Sequence, residues 1–290
     1  MKKVHHGGQA LVIYNPVAGQ HKLLDTKRTI EKVMKEAGYE YDFFETVPVK
    51  KQPLEQFLGR KYDRIVVAGG DGTVAEVTSF MIENRIKTPL VIIPEGSANI
   101  LAVSLGLPLT PGMALNRGLQ SEGRALDAMK VNNKYYGMIA TGLGYDTMIM
   151  SKTPRHLKRR FGFLAYLWTI LTTMLIYHAS PYKLTIDGKR VVVMAKAIMT
   201  FNILPLGHLK ITKPFIGIPI LPTDGLLNIF ALNPGPIRSL LRPRKMVQIF
   251  SGKKITVKTK KARRYQIDGN VFKGKTVTIE VLKKAICIAF

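Results

Sequence analysis

The chain of 290 residues holds one cysteine, Cys287, so no internal disulfide can form and a reducing compartment is expected. The start of the sequence lacks the secretory pattern of basic residues, apolar run and small-residue cleavage site, which sets the expectation of a cytoplasmic protein. Low-complexity tracts and internal repeats are missing too, so neither a solenoid nor a long disordered linker is expected. His5 and His6 fall in a glycine-containing start, which reads as a terminal segment rather than a metal site.

Acid is the scarcest resource of the second part. From Ala125 onward 28 Lys and Arg face 6 Asp and Glu, whereas residues 1–124 hold 16 and 13. The net charge of +25 therefore belongs almost wholly to the second part, which should face a polyanion, either nucleic acid or an anionic membrane. The run Arg238 to Arg264 has 11 Lys or Arg and no acid, with Phe250 and Tyr265 as the only rings in or beside it. That shortage of aromatic interleaving argues against nucleic acid. The expected partner is an anionic membrane surface, with the protein peripheral to it.

Long apolar runs are almost as scarce. Residues 161–177, "FGFLAYLWTILTTMLIY", are seventeen residues without a charge after "RHLKRR", short of the roughly 20 residues that span a bilayer. A long helix near 153–178 is expected. It is either buried against the second domain or membrane-facing, with Arg155, Lys158, Arg159 and Arg160 on headgroups.

What the sequence does have is a change of period. "ALVIYNP", "DRIVVAGG" and "TPLVIIPEG" are short Val/Ile-rich runs ended by turn residues. Between the first two, Ile30, Val33, Met34 and Ala37 fall at helical spacing ahead of Gly38. Val74, Val77 and Met81 mark a second helix. Buried strands alternating with helices imply a parallel, doubly wound sheet, whose ligand lies beyond the carboxyl ends of the strands. After Ala125 come "YYGMIATG", "YKLTIDGKRVVVMAKAIMTFNI", "LLNIFALN", "KKITVKT", "RRYQIDGN", "KTVTIEVL" and "AICIAF", the short β-rich runs of an antiparallel sandwich or barrel. Two domains are expected, 1–124 and 125–290.

Three strand ends converge on the first domain's ligand edge: Asn15-Pro16-Val17-Ala18-Gly19, Gly69-Gly70-Asp71-Gly72-Thr73, and Pro94-Glu95-Gly96-Ser97-Ala98-Asn99. Small residues there let backbone N–H groups and a helix N-terminus approach phosphates. Asp71 reads either as a carboxylate that organises a metal on those phosphates or as a cap of its own helix. Asp268 competes with a turn reading, because Asp-Gly is a hairpin signal, and Asp187-Gly188 reads as a turn only.

"NPVAG", "GGDGT" with Glu76 after it, "PEGSAN", "RALDAMKV", "TGLGYDTMI", "PTDGLLNIF" and "YQIDGN" occur in the order found in the diacylglycerol kinase catalytic domain family, which also holds sphingosine and ceramide kinases. The chain resembles that family over most of its length. The resemblance implies a Rossmann-like domain of the NAD kinase/diacylglycerol kinase type and a C-terminal antiparallel β-sandwich, with ATP and Mg²⁺ as cofactors. It implies nucleotide contacts at Asn15, Pro16, Val17, Ala18, Gly19, Thr46, Gly69, Gly70, Asp71, Gly72, Thr73, Val74, Ala75 and Ser97. It implies that the Asp-Gly-Glu motif supplies the base for the lipid hydroxyl, at Asp268 or at the position of Asn270, and a structural Mg²⁺ at Asp224 with the carbonyls of Leu221 and Leu226; Asp268 is the expected base, with Asp71 beside it in catalysis. The activity implied is transfer of the ATP γ-phosphate to diacylglycerol or a related lipid, giving a phosphatidate-type product. Three alternatives stay open: a sphingoid or other lipid alcohol kinase, a degenerate member that binds without turnover, and a basic nucleic-acid-binding protein on the same scaffold. The family's Gly-Thr-x-Asn-Asp reads Gly96-Ser97-Ala98-Asn99-Ile100 here, and its Asp-Gly-Glu reads Asp268-Gly269-Asn270. Neither the acyl chains of the lipid nor an oligomeric state is legible.

Overall fold

The computed structural model describes residues 7–18, 23–46, 53–144, 179–204, 222–232 and 247–290. The expected helix near 153–178, Gly19, Leu221, and the histidines at 5 and 6 lie outside the described residues. The chain forms two compact units, Met1–Leu126 with Lys284–Phe290, and Asp127–Lys283.

The first unit is built on β1 (Gly8–Tyr14), β2 (Tyr39–Glu45), β3 (Arg64–Gly69) and β4 (Leu90–Pro94), in the order β2-β1-β3-β4 and all parallel. Every residue of β3 and β4 is buried, the mark of a sheet covered on both faces. Helix α1 (Leu23–Glu36) buries Ile30, Val33 and Met34 against Val12, Val66 and Val91 of the sheet and Leu115 and Leu119 of α4 (Pro111–Gln120). Gly38, at φ +72°, ends α1 in the left-handed conformation expected of a glycine C-cap. Helix α2 (Asp71–Glu83) follows β3 and buries Val74, Val77 and Met81, and the short α3 (Ile100–Leu105) follows β4.

Eight strand pairings within the second unit are antiparallel. Its described strands are β5 (Arg124–Val131, from Asp127 on), β6 (Tyr135–Gly137), β7 (Ala140–Gly144), β8 (Ser180–Ile186), β9 (Lys189–Ala195), β10 (Ala197–Phe201), β11 (Leu227–Leu232), β12 (Val247–Gly252), β13 (Lys254–Ile267) and β14 (Asn270–Ile288, up to Lys283). "KKITVKT" and "RRYQIDGN" are one strand, β13, with a register shift between Lys258 and Arg263. The half before the shift pairs with β8 and the half after it with β7, so this irregularity lets one strand serve two leaves of the sandwich. Between the leaves lies a core of Leu184, Val193, Ile198, Ile229, Ile255, Val257, Ile267 and Val277. The sandwich and the doubly wound sheet are the two architectures that the periodicity implies.

The end of the chain departs from the pattern. "AICIAF" reads as part of the β-rich region, yet these residues belong to the first unit. At Lys284 the backbone turns left-handed (φ +48°), and Ile288 then pairs in parallel with Leu90. The Lys87 ammonium holds this return by donating to the Lys284 and Ala285 carbonyls at 2.8 and 2.9 Å. A six-residue apolar run cannot reveal which sheet it joins.

Candidate functional site

The order β2-β1-β3-β4 makes the β1/β3 boundary a topological switch point, where ligands of open α/β sheets sit. The loops after β1 and β3 are tied there: the Asn15 amide donates to the Thr73 hydroxyl at 2.7 Å. Asn15 Oδ1 also accepts the Val17 N–H at 3.0 Å, an Asx turn that shapes Asn15–Ala18. Thr46, after β2, donates its N–H to the Tyr14 carbonyl at 2.8 Å. The loop after β4 is joined by the Glu95 N–H donating to the Gly69 carbonyl at 2.9 Å. Within it, Asn99 is left-handed (φ +47°), donates to the Gly96 carbonyl and accepts the Gly96 N–H, both at 2.7 Å.

Of the residues implied as nucleotide contacts, Asn15 to Ala18, Thr46, Gly69 to Thr73 and Ser97 thus share one sheet edge. Val74 does so only through its backbone, since its side chain is in the core, and Thr73 is largely buried. The glycines divide into two kinds. A Cβ on Gly96 would stand 2.7 Å from Gly70 Cα, and one on Gly69 would stand 2.7 Å from Thr73 Cβ, so these glycines permit the loops to pack on each other. A Cβ on Gly72 would meet nothing within 4 Å. Gly72 is the glycine that internal packing does not require, and it lies in the first turn of the 13-residue helix α2, where N–H groups and the helix dipole favour an anion.

Asp71 opens α2, and its carboxylate is met by its own N–H and by N–H groups of the next helix. Oδ1 accepts the Ile100 N–H at 2.6 Å, at the start of α3. Burial pushes the Asp71 carboxyl above the usual carboxylate range, and backbone N–H groups of Ile100, Asn99 and Leu101 oppose that shift. Among the described residues no cationic side chain is among the causes. There the partly buried carboxylate is met by N–H dipoles.

In the second unit Asp268 and Gly269 form the two-residue hairpin turn between β13 and β14, both at positive φ (+45° and +97°), the type I′ geometry of Asp-Gly. The Asp268 carboxylate accepts the N–H groups of Met138, Ile139 and Ala140, the last two at 3.0 and 2.8 Å. Asp187 does the same in the β8–β9 hairpin, accepting the Lys253 N–H at 3.0 and the Lys254 N–H at 2.8 Å. Those bonds hold its carboxyl below the usual range. Asp268 thus has a clamping role that a turn residue without chemistry shares. Asn270, where the family has Glu, is exposed at the start of β14. Asp224 is exposed, and its Oδ1 accepts the Leu226 N–H at 2.9 Å; its other implied partner, Leu221, lies outside the described residues.

Two residues of this region escape sequence reading as site members. Asp127 is buried, accepts the Gly225 N–H at 2.7 Å and donates its own N–H to the Pro222 carbonyl at 2.7 Å, so it fastens the turn that carries Asp224. Asn202, fully buried, donates to the Asp127 and Met138 carbonyls, both at 2.8 Å. The available signal was a lone polar residue inside an apolar strand run, in "RALDAMKV" and after "AIMTF".

Comparison with known proteins bears on these loops directly. Residues 9–131 match the diacylglycerol kinase catalytic domain. The family resemblance of the motifs is thereby shown, and the matched segment contains every candidate nucleotide contact, whereas Asp224 and Asp268 lie beyond it. A Staphylococcus haemolyticus diacylglycerol kinase is 35% identical over 162 residues, 54% of this chain and 48% of that protein, so the match spans about half of this relative's length. A Staphylococcus aureus protein provisionally named a lipid kinase is 27% identical over 242 residues, 77% of this chain and 76% of that one. A Bacillus anthracis crystal structure, provisionally described as a diacylglycerol kinase, has a TM-score of 0.81 at 23% identity and covers 97% of this chain and 95% of that one. At that identity the last likeness establishes the fold: an N-terminal α/β domain and a C-terminal β-rich domain.

Kinases of this family imply ATP and a divalent metal. Among the described residues no three His, Cys, Asp or Glu side chains are grouped to hold a metal ion. A single carboxylate at Asp71 fits a Mg²⁺ that keeps waters and substrate phosphates as its other ligands, the usual habit of this ion, better than an all-protein cage. Among the described residues no helix is long and apolar enough to cross a membrane.

Proposed function

We propose that this chain is an ATP-dependent lipid kinase that transfers the γ-phosphoryl group to the hydroxyl of diacylglycerol or a related lipid at an anionic membrane surface. The observation that carries the proposal is the set of interlocked loops at the β1/β3 switch point, inside the matched kinase domain, with Gly72 open at the start of α2. In this reading the α2 N-terminus and the Asn15–Ala18 turn hold the phosphates, and the Asn15–Thr73 bond keeps the two loops in register. Phosphoryl transfer depends chiefly on positioning and charge neutralisation, and a bound Mg²⁺ would supply the latter. The Asp71 carboxylate, held against burial by backbone N–H groups, is the protein's own contribution beside it. Asp268 is the proposed base for the lipid hydroxyl, held in place by three N–H groups.

A second reading, a protein that binds nucleotide and lipid without turnover, draws on Asn270 in place of the family's Glu and on the clamp role of Asp268. Titration calorimetry with ATP and Mg²⁺ tests the nucleotide half of the proposal. Micromolar binding that Asn15→Ala weakens about tenfold or more, by loosening two hydrogen bonds, is expected. No heat of binding to wild type would refute it.

A further inference from the structure

We propose that the outer face of strands β9, β8, β13 and β14 is a docking surface for an anionic lipid bilayer. Along β9 the side chains alternate: Val193 and Ala195 enter the core, while Val192 and Met194 point outward and are 65% and 50% exposed. Across the ladder Val192 stands opposite Lys183, Lys183 opposite Lys258, and Lys258 opposite Thr276. One row of this face therefore holds an exposed valine beside two exposed lysines. The neighbouring row is Arg190, Thr185, Thr256 and Thr278. Met194 stands opposite the exposed Pro181. Just past Lys258, at the irregularity in β13, come the exposed Lys260 and Lys261, and the Thr259 hydroxyl donates to the carbonyl of exposed Lys275 at 3.2 Å.

Among the described residues little on this face offsets the positive charge. The acid of its outward rows, Glu280, is ion-paired with Lys254, and Asp187 at the hairpin end is occupied by the Lys253 and Lys254 N–H groups. Lysines interleaved with exposed aliphatic side chains suit a headgroup boundary, where the apolar tips enter the acyl region and the ammonium groups stay among lipid phosphates. A dry protein interface would instead bury the same lysines unpaired. Nucleic acid recognition would call for rings among the cations, and this outer face offers Val, Met, Pro and Thr.

The inference rests on the membrane part of the proposed function, but on charge and exposure and not on turnover, so binding without ATP tests it apart from phosphoryl transfer. The test is flotation of the full chain, without ATP, on vesicles of phosphatidylcholine alone and with about one-third phosphatidylglycerol. Binding to the anionic vesicles only is expected. Lys183→Glu/Lys258→Glu should weaken it about 25-fold or more, taking roughly fivefold for each lysine near the surface. Val192→Ser/Met194→Ser, which leaves the charge unchanged, should weaken it measurably, while Lys32→Glu/Lys61→Glu, equal in net charge to the first variant but in the other unit, should retain it. Wild-type binding by the first variant, or equal loss in the Lys32/Lys61 control, would overturn the proposal. So would tighter binding to duplex DNA, or self-association along β9 that vesicles do not compete away. Circular dichroism of each variant separates loss of docking from loss of fold.

Discussion

Replacing Asp71 by asparagine separates two properties that the aspartate combines, an acceptor for α3 and a charge. Burial holds its carboxyl above the ordinary range even though the Ile100, Asn99 and Leu101 N–H groups favour the ionised form. The folded state then binds a proton at this position more tightly than the unfolded chain does. The stability linked to Asp71 therefore falls as pH rises from the ordinary carboxylate value through the raised folded value, and at neutral pH the ionised group is a net burden on the fold. Asparagine keeps an oxygen for the Ile100 N–H, 2.6 Å from Asp71 Oδ1, and removes the burden. Asp71→Asn should leave the unfolding free energy within about 1 kcal/mol of wild type or raise it, and should flatten the pH dependence over that window. Asp71→Ala orphans the N–H and should lower stability by about 1–3 kcal/mol. Turnover should fall roughly 10²-fold or more in both, because each loses the charge. Urea unfolding across pH, with phosphoryl transfer from labelled ATP, provides the readouts. An asparagine variant that unfolds as easily as the alanine variant, or keeps wild-type turnover, would refute the reasoning.

Other expectations follow from the glycines and from Asp268. Gly72→Ala should change stability by about 0.5 kcal/mol or less, because its Cβ meets nothing, but should reduce ATP affinity about tenfold by placing a methyl where phosphate approaches. Gly96→Ala should lower stability by about 1–3 kcal/mol, since its Cβ would meet Gly70 Cα and Asn99 Oδ1 at 2.7 and 2.8 Å; calorimetric titration and thermal unfolding of the two variants check both effects. Asp268→Asn should lower the melting temperature by several degrees, as it turns an amide donor toward the N–H groups at 138–140, each charge-assisted bond being worth about 1.5–3 kcal/mol. If Asp268 is also the base, lipid phosphorylation falls about 10²-fold or more at temperatures where the variant is folded. Unchanged turnover of the folded variant would leave the clamp as its only role.

The sequence was most legible where one local signal decided the outcome. β1, β3 and β4 are apolar runs closed by turn residues, and α1 carries its period and its glycine stop. β2 was not legible: "YEYDFFE" leaves only Tyr39 fully buried, because an edge strand pairs on one side and need not be apolar throughout. α4 was not picked out: Pro111 and Gly112 at its start are turn-forming residues, although proline is welcome in a helix's first turn. The small-residue loops were visible as a set, but which glycine serves packing and which serves a ligand depends on contacts between loops distant in sequence. The same holds for Asp71, whose partner Ile100 is reached only when β3 and β4 pair. Asp268 looked like chemistry because its motif is familiar, and Asp187 shows that the same dipeptide makes the same clamp elsewhere.

The most direct test of the account is incubation of the full chain with γ-labelled ATP, Mg²⁺ and a panel of diacylglycerols, sphingoid bases and other lipid alcohols in mixed micelles with anionic lipid. The account predicts label in a phosphatidate-type product, and its loss in Asp71→Asn. Nucleotide binding without any labelled lipid, together with labelled product appearing only after Asn270→Glu, would contradict it and identify a binding protein that has lost the essential base.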